Sequence, residues 1–125
     1  MAEKIENVII IGAGPAGLSA ALYAGRANLN PLVLTGPTLG GQLAFSINVE
    51  NYPGFPEGMN GSELADLFEK SAEKFGARLV YDSVTKVDFS EHPYKVSTYS
   101  EEYQTKALII AIGAVPNKLD VPGEE

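Results

Sequence analysis

The chain alternates between stretches of two apolar periods. Val8–Ile11 has no polar position and is β-branched throughout, which predicts a strand buried on both faces of a parallel sheet. Past Gly12 and Gly14 the period lengthens. Leu18, Ala21, Leu22 and Gly25 fall at i, i+3, i+4 and i+7, with Pro15 at the start, so a helix is predicted over 15–28. Asn28, a residue that tolerates a left-handed cap, closes it. Leu32–Leu34 reads as a second buried strand. Residues 36–62 hold six glycines and read as a long loop, with Leu43–Val49 apolar enough to be partly buried; a loop of that length points to function. Asn60 with Glu63 makes a capping-box-like start for a helix over 60–75, whose apolar stripe is Leu64, Leu67, Phe68, Ala72 and Phe75 and whose end is Gly76. Leu79–Tyr81 is a third short strand. Val84–Phe89, Tyr94–Thr98 and Tyr103–Thr105 alternate apolar and polar and predict a three-stranded antiparallel meander. Ala107–Ile112 reads as one more buried strand, and Pro116–Glu125 as a polar linker.

Composition narrows the classes. At 125 residues, 45% apolar and 20% charged, the chain is one ordinary domain or part of one, and not a disordered segment. The net charge of −7 and the lack of a basic run argue against a nucleic-acid groove or an anionic membrane patch. An anionic ligand would have to be held by backbone amides and helix ends. The absence of cysteine excludes a disulfide scaffold, a Cys-type zinc site and a dithiol within these residues. The start, Met-Ala-Glu-Lys-Ile-Glu, lacks the basic and apolar regions of a signal peptide, and no apolar run is long enough to span a bilayer; a cytoplasmic setting is expected.

The chemistry sits in Gly12-Ala-Gly14-Pro-Ala-Gly17. A GxGxxG run is weak alone, but here a strand precedes it, a helix follows, and a second strand comes about twenty residues on, as a dinucleotide-binding turn requires. Gly12 allows the tight turn, Gly14 lets a diphosphate approach the backbone, and Gly17 lets helix and strand pack closely. The helix start then offers amides and the positive end of its dipole. The plain alternative is a glycine-rich turn of some other α/β protein. The end of the second strand, where an acidic residue usually binds ribose hydroxyls, carries Thr35 and Gly36 instead, so that position does not identify a cofactor. The expected fold is α/β: a Rossmann-like parallel sheet with helices, and the antiparallel meander as its crossover.

Several motifs taken together resemble the amino-terminal part of the bacterial-type, low-molecular-weight thioredoxin reductases. They are Ile11-Gly-Ala-Gly-Pro-Ala-Gly, Val33-Leu-Thr-Gly, Gly40-Gly-Gln-Leu, Val49-Glu-Asn-Tyr-Pro-Gly, Ala107-Leu-Ile-Ile-Ala-Ile-Gly and Val121-Pro-Gly-Glu-Glu. In that family Thr-Gly commonly replaces the acidic residue. The resemblance implies an FAD-binding domain over 1–115, incomplete, and a linker over 116–125 toward an absent NADPH-binding domain. It implies that Gly12, Gly14, Pro15, Ala16 and Gly17 hold the diphosphate, with Thr35 and Gly36 near the adenosine ribose. Gly40, Gly41, Gln42 and Leu43 would line the flavin side, Asn51 would bond to it, Val84 would offer backbone to the adenine, and Ala111 and Gly113 would close over the cofactor. On residue type alone, Gln42 and Asn51 read equally as loop caps.

By the same resemblance, the complete enzyme passes hydride from NADPH to FAD and electrons on to a disulfide; thioredoxin is the partner and a homodimer the assembly. No catalytic side chain and no metal ligand is expected within these residues. The chain alone is expected to lack reductase turnover, to hold FAD weakly and to expose an unpaired sheet edge. Ile112 stands where the family more often has Thr. A thioredoxin-reductase-like ferredoxin–NADP reductase and a non-catalytic nucleotide-binding module remain the alternative functions. His92, the only histidine, reads as a solvated turn residue, and Glu101-Glu102 and Glu124-Glu125 as surface charge. Tyr94, Tyr99 and Tyr103 read as cross-strand packing, and Arg26 as an exposed helix residue that could reach a phosphate.

Overall fold

A computed structural model describes residues 4–124; the Met1–Glu3 start and Glu125 of the acidic pair lie outside the described residues. The apolar run after Lys4 forms β1 (Ile5–Ile11), and the glycine turn leads into α1 (Pro15–Arg26). Then follow β2 (Leu32–Leu34), a 3₁₀ turn over Gly41–Phe45, α2 (Gly61–Lys74), β3 (Arg78–Val80), β4 (Val84–Asp88), β5 (Tyr94–Thr98) and β6 (Glu102–Ile110). All six strands join one sheet in the order β3-β2-β1-β6-β5-β4. The β3, β2, β1 and β6 strands run parallel, whereas β4–β5 and β5–β6 are antiparallel.

The ends of both helices follow from their sequence. Asn28 takes φ 58° just past α1, where an L-residue with a short polar side chain is tolerated. Gly76 takes φ 95° past α2. The Asn60 side chain caps α2, accepting from the amides of Ser62 at 2.9 Å and Glu63 at 3.4 Å.

Two apolar clusters cover the two faces of the sheet. On one, Val8, Ile10 and Val33 pack under Leu18, Ala21 and Ala24 of α1 and Ala72 of α2. On the other, Ile9, Ile11, Leu32 and Leu34 pack with Val96 of β5. That second cover explains why β1 and β2 carry no polar position over residues 8–11 and 32–34: burial on both faces leaves nowhere to put one.

The structure corrects the predicted division of the last strands. Tyr103–Thr105 and Ala107–Ile112 are not two strands; the single strand β6 runs through both. Only Lys106 separates the two runs, and one polar residue with no turn former merely points outward in a pleat. The third strand of the meander is therefore also the fourth strand of the parallel sheet. Its first half pairs with β5 over Glu102–Thr105, and its length from Gln104 to Ile110 pairs with β1. The expectation that this last segment is buried also fails: Ile110 is 57% and Ile112 72% exposed. Only Leu108 of it packs partly against the Val96 cluster, and from Lys106 to Ile110 its edge away from β1 has no strand partner among the described residues.

The long loop is partly ordered by its own contacts. Besides the 3₁₀ turn, Val49 and Met59 exchange backbone bonds at 2.7 and 3.0 Å, and Tyr52 packs edge-on against Phe68 of α2 at 5.4 Å. Phe45 and Ile47 face solvent, contrary to the partial burial expected across 43–49.

Candidate functional site

The carboxyl ends of β1, β2 and β3 and the start of α1 gather at one end of the sheet. Gly12 leaves β1 with φ 109°, and its amide donates to the Leu34 carbonyl at 2.9 Å, tying the turn to β2. A Cβ at Gly12 would lie 2.1 Å from the Ala111 carbonyl oxygen, and one at Gly17 would lie 2.0 Å from the Gly12 oxygen. Both glycines are therefore required by packing within the fold.

Gly14 is different. It has φ −81° and ψ −171°, which any residue adopts, and a Cβ there would meet nothing closer than Gly41 Cα at 3.7 Å. The fold does not need glycine at 14, and the opening in front of it is backbone-lined. Gly14 is the N-cap of α1 and supplies no side-chain cap. Leu18 is the residue whose amide closes the first turn, onto Gly14 O at 3.0 Å. The amides of Ala16 and Gly17 precede it at the positive end of the helix, and Pro15 has no amide to satisfy. The N-terminus of α2, by contrast, is filled by Asn60.

The opposite wall comes from the Gly40-Gly41 turn. Gly40 donates to Ala13 O at 2.8 Å, and Gly41 sits against Gly14. Ala111 joins the group from just past the end of β6, its amide donating to Ile11 O at 2.8 Å. So the structure brings Gly12, Gly14, Pro15, Ala16, Gly17, Gly40, Gly41 and Ala111 together. Gln42 and Leu43 follow in the 3₁₀ turn, the first exposed and the second half-buried.

A second group lies at the ends of β2 and β3. Thr35 is buried, its amide donates to Val80 O at 3.0 Å, and its hydroxyl is spent on Gly36 O at 2.9 Å. Gly36 takes φ 70° and donates to Asp82 O at 3.0 Å, which places it beside the segment that leads into Val84. Asn51 and Gly113 are not drawn in: both are exposed, and among the described residues the Asn51 side chain makes no hydrogen bond.

Arg26 lies at the C-terminal end of α1, over the Phe75 ring at 5.1 Å, so it stands at the wrong end of the helix for a phosphate at Gly14. His92 is exposed but bonded, its Nε2 lying 2.8 Å from Lys106 O. Tyr94 packs between Phe89 and His92, whereas Tyr99 is solvated.

Two polar features escaped the sequence reading. At the far end of the sheet, Glu6 is buried and paired with Arg78, Oε2 to Nη2 at 2.5 Å, and with Lys4 at 3.4 Å; Arg78 also donates to Asn30 O at 2.7 Å. Burial pushes the Glu6 carboxyl up, but the hydrogen bond and charge of Arg78, with help from Lys4, hold it below its ordinary value. Asp82 is the other feature. The neighbouring Thr98 hydroxyl pulls its carboxyl below the ordinary value, against a smaller upward push from desolvation, and Ser100 and Ser83 reinforce the lowering. A Glu–Arg pair 72 positions apart in sequence leaves no local pattern to detect.

The family profile described as pyridine nucleotide-disulphide oxidoreductase matches residues 6–125. The chain belongs to the pyridine nucleotide-disulphide oxidoreductase family. Among its curated relatives, a thioredoxin reductase of Rickettsia bellii is 50% identical over 95% of this chain and 39% of that protein. A Pseudomonas fluorescens protein named glucosaminate ammonia-lyase is 47% identical over 95% of this chain and 37% of its own length. Among solved structures, a thioredoxin reductase of Streptococcus pyogenes superposes with a TM-score of 0.89 at 38% identity, over 98% of this chain and 40% of that one. The α/β fold and the resemblance read from the motifs are thereby shown. The chain spans about two fifths of the length of these oxidoreductase-family relatives. No helix among the described residues is long and apolar enough to cross a membrane.

Proposed function

We propose that this chain is the FAD-holding part of an NADPH-dependent thioredoxin-disulfide reductase. One observation carries the reading: the backbone-lined opening at Gly14, free of side chains and faced by the uncapped start of α1, where a Cβ could fit but none is present. That is the surface a diphosphate needs, since backbone amides and a helix end can hold it without a basic cluster. The net charge of −7 makes this route the more necessary. Gly12, Gly14, Ala16, Gly17, Gly40, Gly41 and Ala111 would hold the diphosphate and the chain beyond it. Thr35, Gly36 and Val84 would border the adenosine half; because the Thr35 hydroxyl is already spent, the backbone would do the recognising there. Gln42, Leu43, Asn51 and Gly113 would border the flavin half, Asn51 and Gly113 only once the loops that carry them close toward it.

FAD supplies the hydride-accepting and electron-passing chemistry when bound. The residues here bind, orient and shield it; with no cysteine among them, the chain contributes no thiol. NADPH and thioredoxin belong to the same reading, supported by relatives named thioredoxin reductase, one of them NADPH-dependent; a homodimeric assembly and a cytoplasmic setting are proposed with it. The relative named as an ammonia-lyase shares this half equally well, so nucleotide holding is the part of the function these residues themselves determine.

The test is Gly14→Ala. It should leave thermal unfolding unchanged and weaken binding of FAD or ADP by tenfold or about 1.4 kcal/mol, read by isothermal titration or nucleotide-induced NMR shifts. Equal affinity in the variant would remove the diphosphate from this opening.

A further inference from the structure

The dinucleotide reading uses Gly36 and Val84 but not the residue that joins them. Asp82 lies between β3 and β4, and two ends of it point in two directions. Its carbonyl accepts the Gly36 amide at 3.0 Å. Its carboxylate accepts the Ser83 amide at 2.9 Å on Oδ1 and the Ser100 amide at 3.3 Å on Oδ2. Ser100 belongs to the β5–β6 turn, which Thr98 makes rigid. The Thr98 hydroxyl donates to Glu101 O at 3.0 Å and accepts from the amides of Ser100 at 3.2 Å and Glu101 at 2.9 Å. A continuous set of hydrogen bonds therefore runs from the meander turn, through one aspartate, to the mouth of β2.

We propose that Asp82 is a positioning residue for the adenosine end of a bound dinucleotide, anchored through its carboxylate on the β5–β6 turn and holding Gly36 through its carbonyl. The inference rests on the dinucleotide reading above. Gly36 needs such a hold. It is at φ 70°, and the space around a Cβ there is empty to 4 Å, so hydrogen bonds rather than packing hold it: its amide on the Asp82 carbonyl, and its own carbonyl on the Thr35 hydroxyl. Val84, two residues on, opens β4 opposite Thr98, the residue that braces the same turn. Both Asp82 oxygens are occupied by amide donors. An asparagine keeps one acceptor and turns an amino group toward the Ser100 amide, donor against donor; an alanine keeps neither. Asp82 belongs to neither apolar cluster, so its loss acts on the mouth of the sheet more than on the core.

The experiment is an ADP titration of the isotopically labelled chain followed amide by amide in NMR spectra, for the parent, Asp82→Asn and Thr98→Val. The last breaks the same anchor from the turn side and serves if the first fails to fold. In the parent, ADP should shift the amides of the 14–17 turn together with those of Gly36 and Val84. In the variants the dissociation constant should rise about tenfold. At saturation the 14–17 shifts should persist while those of Gly36 and Val84 collapse. A merely structural role would weaken both sets together, in step with a lowered melting temperature, and would overturn the proposal. So would affinity within twofold of the parent, or unchanged Gly36 and Val84 shifts at saturation. A parent that shows no shift with ADP sinks the dinucleotide reading itself, and is seen before any variant is made.

Discussion

Three glycines of the same turn answer to different demands, and substitution separates them. Gly17→Ala drives a Cβ into the Gly12 carbonyl and should cost about 3 kcal/mol in urea unfolding, with nucleotide binding lost only because the fold is. Gly14→Ala should do the reverse, keeping the unfolding midpoint and losing the ligand. The motif shows three glycines with equal emphasis; the distinction between packing and binding appears only when the neighbours of each Cβ are known. Glu6 behaves in the same manner. Its carboxyl is held low in the folded state, so it stabilises the fold above the ordinary carboxylate value of 4.5 and loses that contribution as pH falls through the lower folded value. Urea midpoints should drop on acidification below about pH 4.5, and Glu6→Gln should make the drop shallower. Local sequence could not reveal this pair, because Arg78 comes to Glu6 through β2, which lies between their strands.

At the level of elements, the helices were the most legible. The 3.6-residue stripe, Asn60 before it and Gly76 after it set α2 to within a residue or so of its observed ends. Asn60→Ala removes the oxygen that receives two amides and should cost about 1 kcal/mol, measured as a lower melting temperature with α2 amides exchanging faster. Strands were legible where burial on both faces made them uniformly apolar. They were misread where one strand changes partners. Nothing in the sequence marks Lys106 as the place where β6 leaves β5 and continues with β1, because alternation is the same in parallel and antiparallel ladders. The long loop hid its contents for a related reason. Its order comes from a few contacts, Val49 with Met59 and Tyr52 with Phe68, that have no period to detect. Those same contacts leave Asn51 exposed, which residue type could not decide.

The whole molecule has one finished side and one unfinished side. Helices cover the sheet over β1 and β2, while Ile109, Ile110, Ile112 and Val115 are exposed along and beyond β6, and residues 106–110 lack a strand on one edge. Exposed apolar side chains beside free backbone groups favour association. The 125-residue chain should sediment as concentration-dependent oligomers and bind an apolar dye; Ile110→Lys with Ile112→Lys should reduce both at an unchanged melting temperature. The expected sheet edge is thus present on the second half of β6, while Gln104 and Thr105 are paired on both sides.

That shared strand has a further consequence. Because β6 closes the meander with its beginning and flanks the glycine turn with its end, no seam separates the two parts. A backbone break introduced at Lys106 would leave two peptides, neither holding a complete ladder, and the meander could not be exchanged for another insert without rebuilding the wall at Ala111. Swapping modules between relatives should therefore succeed only with junctions placed before β1 or after Gly113, with everything between inherited as a single piece.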